Sequence, residues 1–175
     1  MKTTTSAEDP KAFHKLQDFV REIEVAMMTT VTPDGALHSR PMATAEFDED
    51  GNIWFFTSDD SGMAHDLAAE HAVNISYADA RKHHYVSVTG NATVQHDAER
   101  AKTLWKTSLK TYFPRALEDP HLALLCVRVE SAEYWDAPVG RMVQLFAATK
   151  AAPTGEAPDV GEHTKVGIRA TPASG

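Results

Sequence analysis

Arg40 stands in the stretch "LHSRPMATAEF", Leu37 to Phe47, among small and apolar neighbours. A guanidinium cannot lose its charge, and its fork of donors fits a phosphate bidentately. Ser39, Thr57 and Ser61 could add hydroxyl donors, and a helix opening near Ser61 would add backbone N–H groups. Met42 and the aromatics of "IWFFTS" could flank a flat ring. This set is suited to gripping a planar ligand with an anionic end. The competing reading is an ordinary edge hairpin with a solvated arginine, and residue types alone leave both open.

Other chemistry finds less support. The 9 histidines are scattered. His83 and His84 are adjacent, so on a strand they point to opposite faces, and His65 and His71 are poorly spaced to share an ion. Without H-E-x-x-H or paired cysteines, no metal site is expected. Ser58, Ser61 and His65 lack the G-x-S-x-G turn of a serine hydrolase. Glu46, Asp48, Glu49 and Asp50 read as a solvated turn. Cys126, the single cysteine, lies in an apolar run and reads as packing.

The elements that would position these residues can be read from periodicity and turn chemistry. "SAEDPKAFHKLQDFVREIE" predicts a first helix, with Phe13, Leu16, Val20 and Ile23 on one face. Strands follow at Val25 to Thr32, Leu37 to Phe47 and Ile53 to Ser58, separated by "PDGA" and "DEDGN". Pro41 implies an edge, a bulge or a backbone group not needed for pairing. "SGMAHDLAAEH" predicts a short helix capped by Ser61. Two further strands cover Ala72 to Asp79 and Tyr85 to Gln95, where Gly90 suggests a bulge or barrel bend. A helix over Asp97 to Phe113 and a long strand over His121 to Ala137 complete the pattern. Gly140 to Lys150 fits strand or helix equally. Several short antiparallel strands with few helices indicate a small barrel or rolled sheet. Residues 1–150 are expected to form one domain, and 151–175, rich in proline and glycine, a flexible tail. Trp54, Phe55 and Phe56 must face both sides of their strand. One side enters the core, and the other needs cover from a ligand, a partner subunit or the flanking helices.

The 42% hydrophobic content supports a real core. A net charge of −8 argues against a nucleic-acid or anionic-membrane surface. No apolar run approaches a membrane span and the N-terminus lacks a signal-peptide core, so a cytoplasmic protein is expected.

The ordered motifs "MTTVTPDGALHSRPM", "IWFFTSDDSGMAHDL", "VNISYAD", "YVSVTGNATV", "TLWKTSLKTYFP" and "DPHLALLCVRVESAEYWDAP" resemble the pyridoxamine 5′-phosphate oxidase-like FMN-binding split barrels. The resemblance is to their bacterial general stress protein branch. It implies a mainly β fold, a six-stranded antiparallel split β-barrel with flanking helices, dimerising with FMN at the interface. Carried over by position, Arg40 matches the strand arginine at the phosphate region, Pro41, Met42 and Ala43 lie along the ring edge, and Phe56 and Thr57 lie beside the cofactor, with Ser39 a candidate as a neighbouring hydroxyl donor. Ser61, Gly62 and Met63 match the phosphate-binding turn. In relatives that turn usually ends in a lysine, often after an arginine in the true oxidases. Here it carries neither. Losing one charged hydrogen bond is worth about 1.5–3 kcal/mol, or one to two decades of affinity.

The resemblance implies a homodimeric FMN protein, a flavin-dependent oxidoreductase of unknown substrate with a reduced nicotinamide as donor. The C-terminal Trp and Arg pattern of the vitamin-making oxidases is not apparent, so pyridoxamine phosphate oxidation is not expected. The alternative is a non-catalytic module that binds flavin or a phosphorylated metabolite. A third reading replaces FMN by a deazaflavin or haem, although no histidine stands out as a haem ligand. A flavin reaction needs no acid or base from the protein, and no catalytic residue is assigned.

Overall fold

A computed structural model of the protein describes residues 10–136 and 162–167. Helix α1 spans Pro10–Ile23. Strands β1 (Val25–Val31), β2 (Leu37–Phe47) and β3 (Asn52–Ser58) form a meander, followed by α2 (Gly62–Ala69). Then come β4 (Ala72–Asp79), β5 (His84–Gln95), α3 (Ala98–Leu104), β6 (Leu122–Asp136) and β7 (Glu162–Gly167). The sheet order is β3-β2-β1-β4-β5-β6-β7, and β3 also pairs with β6. That last pairing closes the first six strands into an antiparallel barrel, the expected fold class.

Strand β6 does two jobs. Its Leu122–Arg128 half pairs with β3, and its Ser131–Asp136 half pairs with β7. The barrel bends at Gly90, where the β5–β6 register shifts. A Cβ added at Gly90 would collide with the Arg128 carbonyl, so glycine is required by close backbone approach.

The barrel interior follows the period-2 alternation of the strands. Met28, Ile53, Phe55, Ile75, Tyr77, Val88 and Leu125 are fully buried. The Tyr77 hydroxyl is 2.8 Å from Thr44 Oγ1, so its polar tip is partnered. Helix α1 adds Leu16 and Val20 to the same core. Its predicted apolar face is present, with Phe13 stacked edge-on to Phe47 at 5.4 Å between ring centres.

Trp54 and Phe56 face away from the interior. Ala101, Leu104, Trp105, Leu109 and Phe113 cover them. The covering element is therefore the α3 segment of the same chain. That segment is not one long helix. Helix α3 ends at Leu104, Trp105 takes an extended conformation, and a 3-10 helix follows at Thr107–Thr111. The break lets Trp105 meet Phe56 edge-on at 5.5 Å, so packing overrides helical periodicity.

Within the stretch expected to be a tail, residues 162–167 form β7 on the barrel edge, with Val166 buried. The remainder from 151 and the segment Gly140 to Lys150 lie outside the described residues.

Candidate functional site

Strands β2 and β3 pair over only part of their length. Thr44, Glu46 and Phe47 face Phe55, Trp54 and Ile53, with a register shift between Thr44 and Glu46. Before Thr44, β2 pairs with β1 alone, and after Phe55, β3 pairs with β6 alone. The two strands splay apart there, which leaves one edge of β2 without a ladder partner at Pro41. A proline is tolerated at such a position because its missing N–H is not needed on that side.

A cavity of about 680 Å³ fills the splay. It is bounded by Arg40, Pro41, Met42 and Ala43 of β2, Phe56 and Thr57 of β3, and Ser61, Gly62 and Met63 at the start of α2. Nine of the ten site residues expected from sequence therefore share one wall. Ser39 does not, because it projects to the outer face of the sheet, with its Oγ 2.8 Å from Thr29 Oγ1.

Arg40 is partly engaged. Its Nη2 donates to Asp66 Oδ2 at 3.0 Å and to Thr30 Oγ1 at 3.2 Å. Thr30 Oγ1 in turn donates to Asp66 Oδ2 at 2.9 Å. The Arg40 side chain is 26% exposed and that of Asp66 only 8%. The Arg40 hydrogen bond holds the Asp66 carboxyl below its usual range, against the opposing effect of burial, with help from Thr30. Both bonds use a single nitrogen, so the guanidinium keeps further N–H groups for a ligand, while its charge is already balanced.

The turn after β3 is built by Ser61. Its hydroxyl oxygen caps α2 by accepting from the Ala64 N–H at 3.1 Å. The hydroxyl proton is then directed elsewhere, and Thr57 Oγ1 is 3.5 Å away. Met63 is 4% exposed and belongs to the core cluster. Lys82, which could replace the missing charge, pairs instead with Glu22 at 2.8 Å. Neither Lys82 nor Arg81 lines the cavity, whereas His65 and His38 do.

Sequence reasoning missed Asp66, Thr30 and the far wall, Leu109, Tyr112 and Phe113. Tyr112 is 74% exposed at the rim. The Asp66 link could have been suspected only as a lone acid on the apolar side of α2. Nothing local to Arg40 announces it.

Elsewhere, the acidic turn is structural. Asp48 accepts from Asn52 N–H at 2.8 Å and from Trp54 Nε1 at 2.8 Å. Arg100 bonds Glu46 at 2.6 Å and Asp48 at 3.2 Å. Burial pushes the Cys126 thiol up to about 11, which suits packing rather than nucleophilic chemistry.

A family model described as pyridoxamine 5′-phosphate oxidase like matches residues 11–159. The chain belongs to this family. A curated relative, Protein bli-3 of Neurospora crassa, is 29% identical over 129 residues, which span 68% of this chain and 62% of the relative. This chain thus matches less than two thirds of that relative's length. Among solved structures, a Clostridium acetobutylicum protein related to general stress protein 26 of B. subtilis superposes with a TM-score of 0.64. It has 21% identity, over 73% of this chain and 90% of that one. The general stress FMN/FAD binding protein of Xanthomonas citri gives a TM-score of 0.64 and 22% identity, over 87% of this chain and 100% of that one. These structures establish the shared split-barrel fold. Within the pyridoxamine 5′-phosphate oxidase-like family, this member places a buried thioether at Met63, the position where the sequence resemblance leads one to expect a lysine. No helix among the described residues is long and apolar enough to cross a membrane.

Proposed function

We propose that the chain is an FMN-binding protein of the general stress type, with the flavin in the cleft between Arg40 and Ser61, working as a cytoplasmic homodimer. The observation that carries this reading is the splay of β2 from β3. It combines an unpaired strand edge, apolar walls and a polar end within one cavity of about 680 Å³, inside the ordinary range for ligand pockets.

The residues present suit a flavin unevenly. Met42, Phe56 and Phe113 offer surface to a flat ring, and the open edge at Pro41 to Ala43 offers backbone groups to its polar rim. Thr57, Ser61 and the first N–H groups of α2 suit a phosphate. The phosphate end is the weaker one, because Asp66 already balances Arg40 and Met63 brings no charge. A bound flavin would supply electron and hydride transfer, with a reduced nicotinamide as the proposed donor. The chain's own part is to hold and orient the ring.

A second copy would complete the site. Val25, Met27 and Leu37 are exposed on the outer face of β1 and β2. Val25 and Met27 pair with Ala43 and Pro41, so this apolar face is continuous with the cleft.

A second reading, a non-catalytic flavin or phosphorylated-metabolite module, is favoured by one observation. The cleft's carboxylate, Asp66, is committed to Arg40 and Thr30.

The test is a visible spectrum of the purified protein before and after addition of FMN and desalting. Retained flavin bands are expected, and a colourless protein after reconstitution would overturn the flavin reading. Met63→Lys is expected to tighten FMN binding about tenfold, the value of one charged contact. An unchanged affinity would mean that the phosphate sits elsewhere. Steady-state oxidation of reduced nicotinamide then separates an oxidoreductase from a binding module.

A further inference from the structure

Behind the cleft wall, three chain segments converge on one carboxylate. Asp59 follows β3, His96 follows β5 and His121 precedes β6. Nδ1 of His121 lies 2.8 Å from Asp59 Oδ1, and Nε2 of His96 lies 2.9 Å from Asp59 Oδ2. Oδ2 of Asp60 stands 4.0 Å from the same Nδ1 of His121. One ligand-capable atom from each of Asp59, Asp60 and His121 falls within 4.8 Å of the others. We propose that these three residues form a divalent-cation site. It would take a first-row ion such as Zn²⁺ on one imidazole nitrogen and two carboxylates, with His96 orienting Asp59.

The geometry is close to what such an ion needs. Bonds of about 2.0–2.1 Å in a tetrahedral site put neighbouring ligand atoms roughly 3.3 Å apart. The observed 2.8 Å and 4.0 Å lie on either side of that spacing. Small rotations of exposed side chains would equalise them. The backbone beneath is fixed. The Asp59 N–H donates to the His121 carbonyl at 3.0 Å, and the neighbouring Ser58 is paired with Leu122 in the β3–β6 ladder. The His121 N–H donates to Asp119 Oδ1 at 3.0 Å, which holds its loop.

The surroundings of the ligands also suit a metal. Ser58 Oγ donates to Oδ1 of Asp60, which leaves Oδ2 as the oxygen nearer His121. His96 occupies the outer oxygen of Asp59, as hydrogen-bonded partners of ligating carboxylates commonly do. An imidazole with two carboxylates is a borderline donor set that suits Zn²⁺, Mn²⁺ or Co²⁺ better than a thiol-seeking ion. Solvent reaches the cluster, so water can fill the remaining positions. The one imidazole ligand, His121, stands 62 residues from Asp59, which is why histidine spacing alone gave no hint of the site.

The test is a Zn²⁺ titration of the untagged full-length chain in competition with a chromophoric chelator, with circular dichroism as a fold control. One high-affinity Zn²⁺ per chain is expected. His121→Ala and Asp60→Asn should each weaken binding about tenfold or more, and His96→Ala by about tenfold, because it frees the Asp59 carboxylate to rotate. If the wild type binds no Zn²⁺, or if either His121→Ala or Asp60→Asn binds it as tightly as the wild type, the proposal is overturned.

Discussion

Two arginines serve the two ends of the β2–β3 pair in different ways. Where the strands are paired, Arg100 reaches both Glu46 and Asp48 and lies over the Trp54 ring, 4.3 Å from its centre. Where they splay, Arg40 reaches one carboxylate and the Thr30 hydroxyl and faces a cavity. Arg100 acts as a clamp between helix α3, which carries it, and the β2–β3 hairpin, which supplies Glu46, Asp48 and Trp54. Arg40 is half committed. Asp66 fixes its position and offsets its charge, and the remaining donors point to a place that no side chain fills. The contrast shows how a fold separates an arginine that holds it together from one that can serve a ligand. The discriminating feature is what faces the rest of the guanidinium, the Trp54 ring for Arg100 and the cavity for Arg40, since both arginines are partly buried and each makes two hydrogen bonds.

Phe56 lies between these regions, since it walls the cavity and packs on Trp105 and Phe113. Phe56→Ala is expected to cost about 3 kcal/mol in urea denaturation and to weaken flavin retention as well. A loss below 1 kcal/mol would mean that the covering segment is not anchored there.

Arg40→Ala should cost about 2 kcal/mol, because it strips a charged hydrogen bond from a buried carboxylate. It should also weaken FMN binding. The stability cost has a defined pH dependence. The folded-state pKa of Asp66 is depressed, so its contribution is present above the ordinary carboxylate pKa and disappears as pH falls through the folded value. The gap in Tm between wild type and Arg40→Ala should therefore be wide at pH 7 and narrow at pH 3. An equal gap at both values would show that Asp66 is not the partner that matters.

Arg100→Met should cost about 1 kcal/mol, since the ion pairs are one-third exposed and the ring contact adds a similar amount. Flavin affinity should be unchanged, and a drop would remove the distinction between the two arginines. Ser61→Ala removes the cap of α2 and is expected to cost about 1 kcal/mol or slightly less in thermal unfolding.

Much of this arrangement was legible in the sequence, for local reasons. Strand β2 runs from Leu37 to Phe47, as its two flanking turns predicted. Pro41 and Gly90 marked an unpaired edge and a bend because their backbones allow few alternatives. What stayed hidden depends on residues distant in sequence. Asp66 meets Arg40 only after α2 folds back over β1 and β2. Trp105 leaves the helical path because Phe56 offers it a better contact than another turn would. The split in the β2–β3 ladder could not be read from either strand alone, since both keep their strand character on each side of it.

The double pairing of β6 also has a consequence for synthesis. Strands β1 to β5 can form an open sheet with β3 at one edge and β5 at the other, and only β6 joins the two. A ribosome must therefore finish residues 122–128 before the ring can close. Until then the emerging chain exposes a β3 edge carrying Trp54, Phe55 and Phe56, an aromatic strand able to pair with another nascent chain. Conditions that slow translation through residues 122–128 would prolong that exposure, so yield in the cell should depend on elongation speed near β6.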